Sequence, residues 1–142
     1  ADGVSVAGNM LEGPAVIADT LAAYHSAMDK PLAERLLIAM QAGEDAGGDK
    51  RGKQSACLII HRDQDYPWLD IRADDHGNPL EELRRLYAVA QERYLHVAET
   101  MPTRENPHGM IDRSEIDATI ARLEEERIAA GRPTASYMVN KG

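Results

Sequence analysis

The residues best equipped for chemistry lie in one stretch, Ala46-Gly47-Gly48-Asp49-Lys50-Arg51-Gly52-Lys53-Gln54-Ser55, which runs directly into the apolar segment Ala56-Cys57-Leu58-Ile59-Ile60. Lys50, Arg51 and Lys53 offer donors for a carboxylate or phosphate. Asp49 can orient an amine or pair with a lysine, and Gln54 and Ser55 offer neutral hydrogen bonds at the mouth of the following strand. The three glycines open backbone angles closed to other residues and allow a ligand to approach closely. Such a loop, anchored to a strand at one end, suits recognition of a small polar substrate. The same charges also suit a contact with a neighbouring subunit, or a plain helix-to-strand connection. Upstream, Gly8-Asn9 closes an alternating segment. The Asn9 amide can donate to a developing oxyanion, or can act as a turn residue that caps the next helix. The candidate site is therefore Gly8, Asn9, Gly47, Gly48, Asp49, Lys50, Arg51, Gln54 and Ser55.

Other chemistries find little support. The five histidines are scattered, and none shares a helical i, i+4 spacing with another. Asp74-Asp75-His76 reads as a turn at a strand end, so no metal is expected. There is no glycine-rich dinucleotide fingerprint, phosphate loop or nucleophile elbow, so no cofactor is expected. Ser55 has no sequence-adjacent base. Cys57 sits inside an apolar run and is expected to be a buried packing residue.

The 142 residues suffice for one domain with a core. With no phenylalanine and one tryptophan, that core must rest on Leu, Ile, Val, Ala and Met. A net charge of -8 with both signs interspersed argues against a nucleic-acid surface. A single cysteine excludes an internal disulfide and fits a reducing, cytoplasmic setting. No apolar run reaches the roughly 18 residues that span a bilayer, and no signal peptide is visible, so no membrane partner is expected. The chain opens without methionine in what reads as a strand, which leads us to expect part of a longer polypeptide.

The elements that must position the candidate residues follow from periodicity and punctuation. Val4–Ala7 alternates and reads as a strand. Gly13-Pro14 opens a helix with Val16, Ile17, Thr20, Leu21 and Tyr24 on its apolar stripe, ending near Met28-Asp29. Pro31 opens a second helix whose buried face is Leu32, Leu36, Leu37 and Met40, ended by Gly43 or Gly47. Residues 56–61 and 66–72 form an antiparallel hairpin, the second strand placing Leu69 and Ile71 opposite Asp70 and Arg72. Asn78-Pro79 opens a long helix with Glu81 at a capping-box spacing and a stripe of Leu83, Leu86, Tyr87, Ala90, Tyr94 and Val97. After a loop over residues 102–109, Ser114 caps a last helix with Ile116, Ile120, Leu123 and Ile128 as a narrow stripe and Glu124, Glu125 and Glu126 facing solvent. Three strands with helices on one side leave a sheet face that further polypeptide must cover.

Four ordered blocks carry a resemblance: Val6–Pro14, Pro31–Leu37, Ala46–Ala56 and Leu69–His76. Together they resemble the C-terminal part of a bacterial family of unknown function, number ten twenty-eight, over roughly Asp2 to Tyr87. That family is placed in the N-terminal-nucleophile (Ntn) hydrolase superfamily. The resemblance implies an α/β (α+β) fold, a four-layer αββα sandwich of which this chain supplies the C-terminal part. Residues 1–101 would belong to the sandwich, and residues 102–142 would be a helical extension packed on it or on a partner subunit. It also implies hydrolysis of a small amide by an N-terminal Ser, Thr or Cys whose own amine is the base. Ala1 has no nucleophilic atom, so the nucleophile would lie outside this chain. Asn9 would serve the oxyanion, and Gly8, Gly47, Gly48, Asp49, Lys50, Arg51, Gln54 and Ser55 would hold substrate. The implied partners are the N-terminal part of the same domain, from the same gene product or a companion chain, together with further copies in a homo-oligomer. The alternative is a non-catalytic assembly or small-ligand-binding module with the same fold.

Overall fold

A computed structural model describes residues 3–138. They form two compact units, the first from residues 3–58 and 72–83, the second from 59–71 and 84–138. The fold is mixed α/β: helices α1 (Pro14–Ser26) and α2 (Leu32–Asp45), strands β1 (Ala56–His61) and β2 (Pro67–Ala73), α3 (Pro79–Val89), a π turn over Ala90–Tyr94, α4 (Leu95–Ala98) and α5 (Ser114–Ala129). No helix among the described residues is long and apolar enough to cross a membrane.

In the first unit, α1 and α2 pack as a helical pair. Gly13 enters α1 with extended backbone and Pro14 occupies the first turn, where its missing N–H is not needed. On α2 the fully buried residues are Ala33, Leu37, Ala39 and Gly43. Leu32, expected on the buried face, is 43% exposed. Small residues replace it because the helices approach closely. A Cβ on Gly43 would collide with the Thr20 hydroxyl, which donates to the Val16 carbonyl at 2.6 Å. Gly43 thus lies inside the helix, and Gly47 terminates it. Arg35 pins the α1–α2 turn, donating to the Tyr24 hydroxyl (3.3 Å) and to the Lys30 carbonyl (3.2 Å).

Strands β1 and β2 form a two-stranded sheet. The short connection between them compels antiparallel pairing, since parallel strands need a far longer crossover. Leu58, Ile60, Leu69 and Ala73 are buried, while Asp70 and Arg72 are exposed, as the alternation requires. That same alternation overturns the expectation for Cys57. It is exposed, because Leu58 and Ile60 take the inward positions and leave Cys57 and the 46% exposed Ile59 on the outer face. The strand expected at Val4–Ala7 does not form. Alternation supplies side chains compatible with a pleat, but a strand exists only where a second backbone takes up its hydrogen bonds.

The start of α3 differs from a capping box. The Asn78 side chain donates to the Glu81 carboxylate at 2.8 Å, while the Asn78 N–H goes to Nδ1 of His76 at 3.0 Å. In the second unit the π turn explains a further departure. A one-residue insertion rotates all that follows by about 100°, one helical step. Tyr94, expected on the apolar stripe, is accordingly 52% exposed. The expected stripe of α5 is half-buried at Ile116, Ile120 and Leu123, but Ile128 is exposed. Glu124, Glu125 and Glu126 face solvent. Ser114 is the first residue of α5 rather than its cap; the Asp112 carboxylate accepts the Ser114 N–H at 2.9 Å. The helix ends with Arg132 N–H on the Arg127 carbonyl and Gly131 N–H on the Ile128 carbonyl, a Schellman closure.

Candidate functional site

The first unit assembles the glycine-rich loop from its helix outward. Helix α2 closes with Gly47 N–H on the Glu44 carbonyl and Gly48 N–H on the Gly43 carbonyl, each at 3.0 Å. Gly47 sits at φ +117, a conformation that disfavours any side chain. The chain then turns back and pairs with the segment after Asn9. Glu12 N–H donates to the Gly48 carbonyl and Lys50 N–H to the Met10 carbonyl, both at 2.9 Å, around an antiparallel bridge between Leu11 and Asp49. Two candidate segments far apart in sequence are thereby brought side by side.

Beyond the bridge, Asp49 organises a tight turn. Its carbonyl accepts the Gly52 N–H at 2.9 Å, and its carboxylate accepts the Arg51 N–H at 2.9 Å. The Arg51 guanidinium closes a fork on the same carboxylate, Nε to Oδ1 at 2.9 Å and Nη2 to Oδ2 at 2.5 Å. Lys53 Nζ lies 3.1 Å from the Glu44 carboxylate. Gln54 ties the loop to the turn before α3: its amide donates to Asp75 Oδ1 at 3.2 Å, and its carbonyl accepts the His76 N–H at 2.9 Å.

These residues surround a cleft of about 420 Å³ lined by Glu44, Asp49, Arg51, Gly52, Lys53, Gln54 and Ser55. Of the sequence candidates, Asp49, Arg51, Gln54 and Ser55 therefore share one cleft. Gly47 and Gly48 shape its backbone, and Lys50 projects to solvent outside the lining. Gly8 and Asn9 precede the bridge and do not line the cleft. Asn9 caps no helix, because Gly13 occupies the N-cap of α1 without a side-chain bond. Glu44 was not singled out by the sequence. Its signal was positional: a Schellman closure folds the chain after the helix back over its last turn, which carries Glu44. No group of three or more potential metal ligands occurs among the described residues.

The Arg51 fork, followed by the Arg51 N–H, holds the Asp49 carboxyl down to about 2 from its ordinary 3.8, and Asp49 in turn raises Arg51. A depressed carboxyl favours the folded turn above pH 3.8, and the contribution disappears as the pH falls through about 2. Both groups face solvent, so salt weakens the effect. The Asp49 carboxyl carbon should titrate near 2 by NMR. In Arg51→Met its midpoint should climb toward 3.8 but stay below it, the backbone N–H remaining in place. A midpoint that does not move would show that the fork is not the cause.

A mixed α/β fold with a polar, charge-balanced cleft is the class of protein these observations define. The family model described as "Family of unknown function (DUF1028)" matches residues 1–83, more than half of the chain, and the chain belongs to that family. Among solved structures it is similar to protein SPO2555 from Silicibacter pomeroyi, of the same family, with a TM-score of 0.62 and 31% sequence identity over 74% of this chain. The match covers 46% of that protein, so this chain spans less than half the length of the relative it resembles. The comparison with curated proteins returned no match.

Proposed function

We propose that the cleft of the first unit binds a small amide carrying both a positive and a negative charge. In this reading the chain supplies the substrate-holding part, not the nucleophile, of an Ntn-type amidohydrolase. The single observation that carries the binding part is the charge pattern. Each cation of the cleft already has a carboxylate partner, Arg51 on Asp49 and Lys53 on Glu44. A simple anion would have to displace a carboxylate and leave it stranded, whereas a zwitterion exchanges both pairs like for like. The volume falls within the usual range for small-ligand sites. Gln54 and Ser55 add the neutral polar groups that an amide needs.

The catalytic part rests on the Ntn resemblance and on the share of the relative that this chain does not span. The remaining sequence of the family domain would bring the nucleophile-bearing strands, complete the four-layer sandwich and cover the outer face of the hairpin at Cys57 and Ile59. Asn9 would serve the oxyanion from beside the bridge. One observation favours a non-catalytic binding module instead: Ser55 lines the cleft, yet its hydroxyl has no hydrogen-bonded base among the described residues.

Calorimetry tests the binding part. L-Glutamine should bind saturably, N-acetylation should weaken it, and Lys53→Met should weaken it by roughly tenfold, the effect of losing one charged hydrogen bond. Equal binding of the acetylated compound would end the zwitterion reading. Mass spectrometry and N-terminal sequencing of the protein purified from its own cells then decide the chemistry. A polypeptide starting with Ser, Thr or Cys supports hydrolysis; its absence leaves binding alone.

A further inference from the structure

In the second unit, two charged side chains of one helical stretch grip the main chain of a single residue. Glu92, within the π turn, accepts the Ala135 N–H on Oε1 at 2.7 Å and the Thr134 hydroxyl on Oε2 at 2.5 Å. Arg85 donates from Nη1 to the Ala135 carbonyl at 2.8 Å, and its guanidinium carbon lies 4.1 Å from the centroid of the Tyr137 ring. Both side chains reach Ala135, so one continuous helical stretch presents an anionic acceptor and a cationic donor to the two ends of one residue. Both side chains are half-buried, as is Ala135, whereas Tyr137 is 81% exposed.

Half of these contacts, those to the Ala135 N–H and carbonyl, address groups that every peptide possesses. Only three side-chain features of the bound segment matter: a hydroxyl before the gripped residue, a small side chain at it, and an aromatic ring two residues later over a guanidinium. The tail reaches the site because the Schellman closure at Gly131 ends α5 and reverses the chain. We propose that Arg85 and Glu92 form a receptor for a bent peptide of the pattern hydroxyl–small–any–aromatic, its first hydroxyl accepting the N–H two residues on as Thr134 accepts that of Ser136 at 3.0 Å, and that residues 134–137 are its tethered occupant, shutting the site to peptides from elsewhere. A tethered occupant competes at high effective concentration, so free peptide gains access only when the tail is released.

The test uses a chain ending at Arg132 and a fluorescent peptide, Pro-Thr-Ala-Ser-Tyr-Met. The shortened chain should bind it saturably, and the full chain at least about tenfold more weakly. Glu92→Gln and Arg85→Met should each weaken binding to the shortened chain by roughly tenfold. A peptide with N-methylalanine in place of alanine lacks the gripped N–H and should lose binding. A folded shortened chain that ignores the peptide, or that binds the N-methyl form equally well, overturns the proposal. If shortening unfolds the protein, amide exchange in the full chain decides. Exchange at Ala135 should quicken at least about tenfold in Glu92→Gln, and an unchanged rate overturns the receptor.

Discussion

Replacing Leu83 with alanine should lower the unfolding free energy by about 2–5 kcal/mol, the range for truncating a fully buried leucine. Leu83 has no exposed surface and is among the largest fully buried side chains of the protein. It sits within α3, where alanine is the better helix former, so local propensity favours the variant slightly and the whole loss must come from packing. With no phenylalanine to fill the core, each buried leucine carries more of the apolar contact than it would in an aromatic-rich protein. Urea denaturation monitored by circular dichroism measures the effect. Leu32→Ala is the control, because that side chain is 43% exposed and should change stability by well under half as much. Equal losses for the two variants would show that exposure does not decide the contribution of these leucines.

The second large effect is at the site. Gly47→Ala should destabilise the protein by about 1–3 kcal/mol through backbone strain alone, since φ +117 is hostile to an L side chain. It should also spring the bridge, because the new Cβ would stand 2.8 Å from Cβ of Glu12 and 2.9 Å from its Cγ. A Cβ–Cβ collision of that kind cannot be relieved by rotating a side chain away; the backbone of one segment has to move. Hydrogen exchange reads the result directly. The amides of Glu12 and Lys50, which make the two cross-segment bonds, should lose protection in the variant while the amides of α1 keep theirs. Retained protection at Glu12 and Lys50 would mean that the two segments do not depend on that glycine.

The cleft and the tail receptor use charge differently. In the cleft every charged group has a partner of its own, and a ligand must exchange with it. In the tail receptor Arg85 and Glu92 are turned toward one main-chain unit and hold a segment already in place. Both arrangements arise where a helix ends or is interrupted, at the close of α2 and at the π turn, because backbone groups and side chains there are released from the regular ladder.

Local punctuation and period were legible in the sequence. Pro14 and Gly47 act through their own backbone preferences, so the limits they set on α1 and α2 need no knowledge of the rest of the molecule. The alternation of Leu69, Asp70, Ile71 and Arg72 likewise follows from the pleat alone. Tertiary structure decided what depends on a partner: whether Val4–Ala7 meets a second strand, which face of β1 turns inward and so leaves Cys57 outside, and where a π turn swings Tyr94 off its stripe. The candidate loop was visible in the sequence as a cluster of residue types. Its pairing with Met10–Glu12 comes from hydrogen bonds between residues dozens of positions apart, which no local pattern encodes, whereas Glu44 enters the cleft through the local closure of α2 and its ion pair with Lys53.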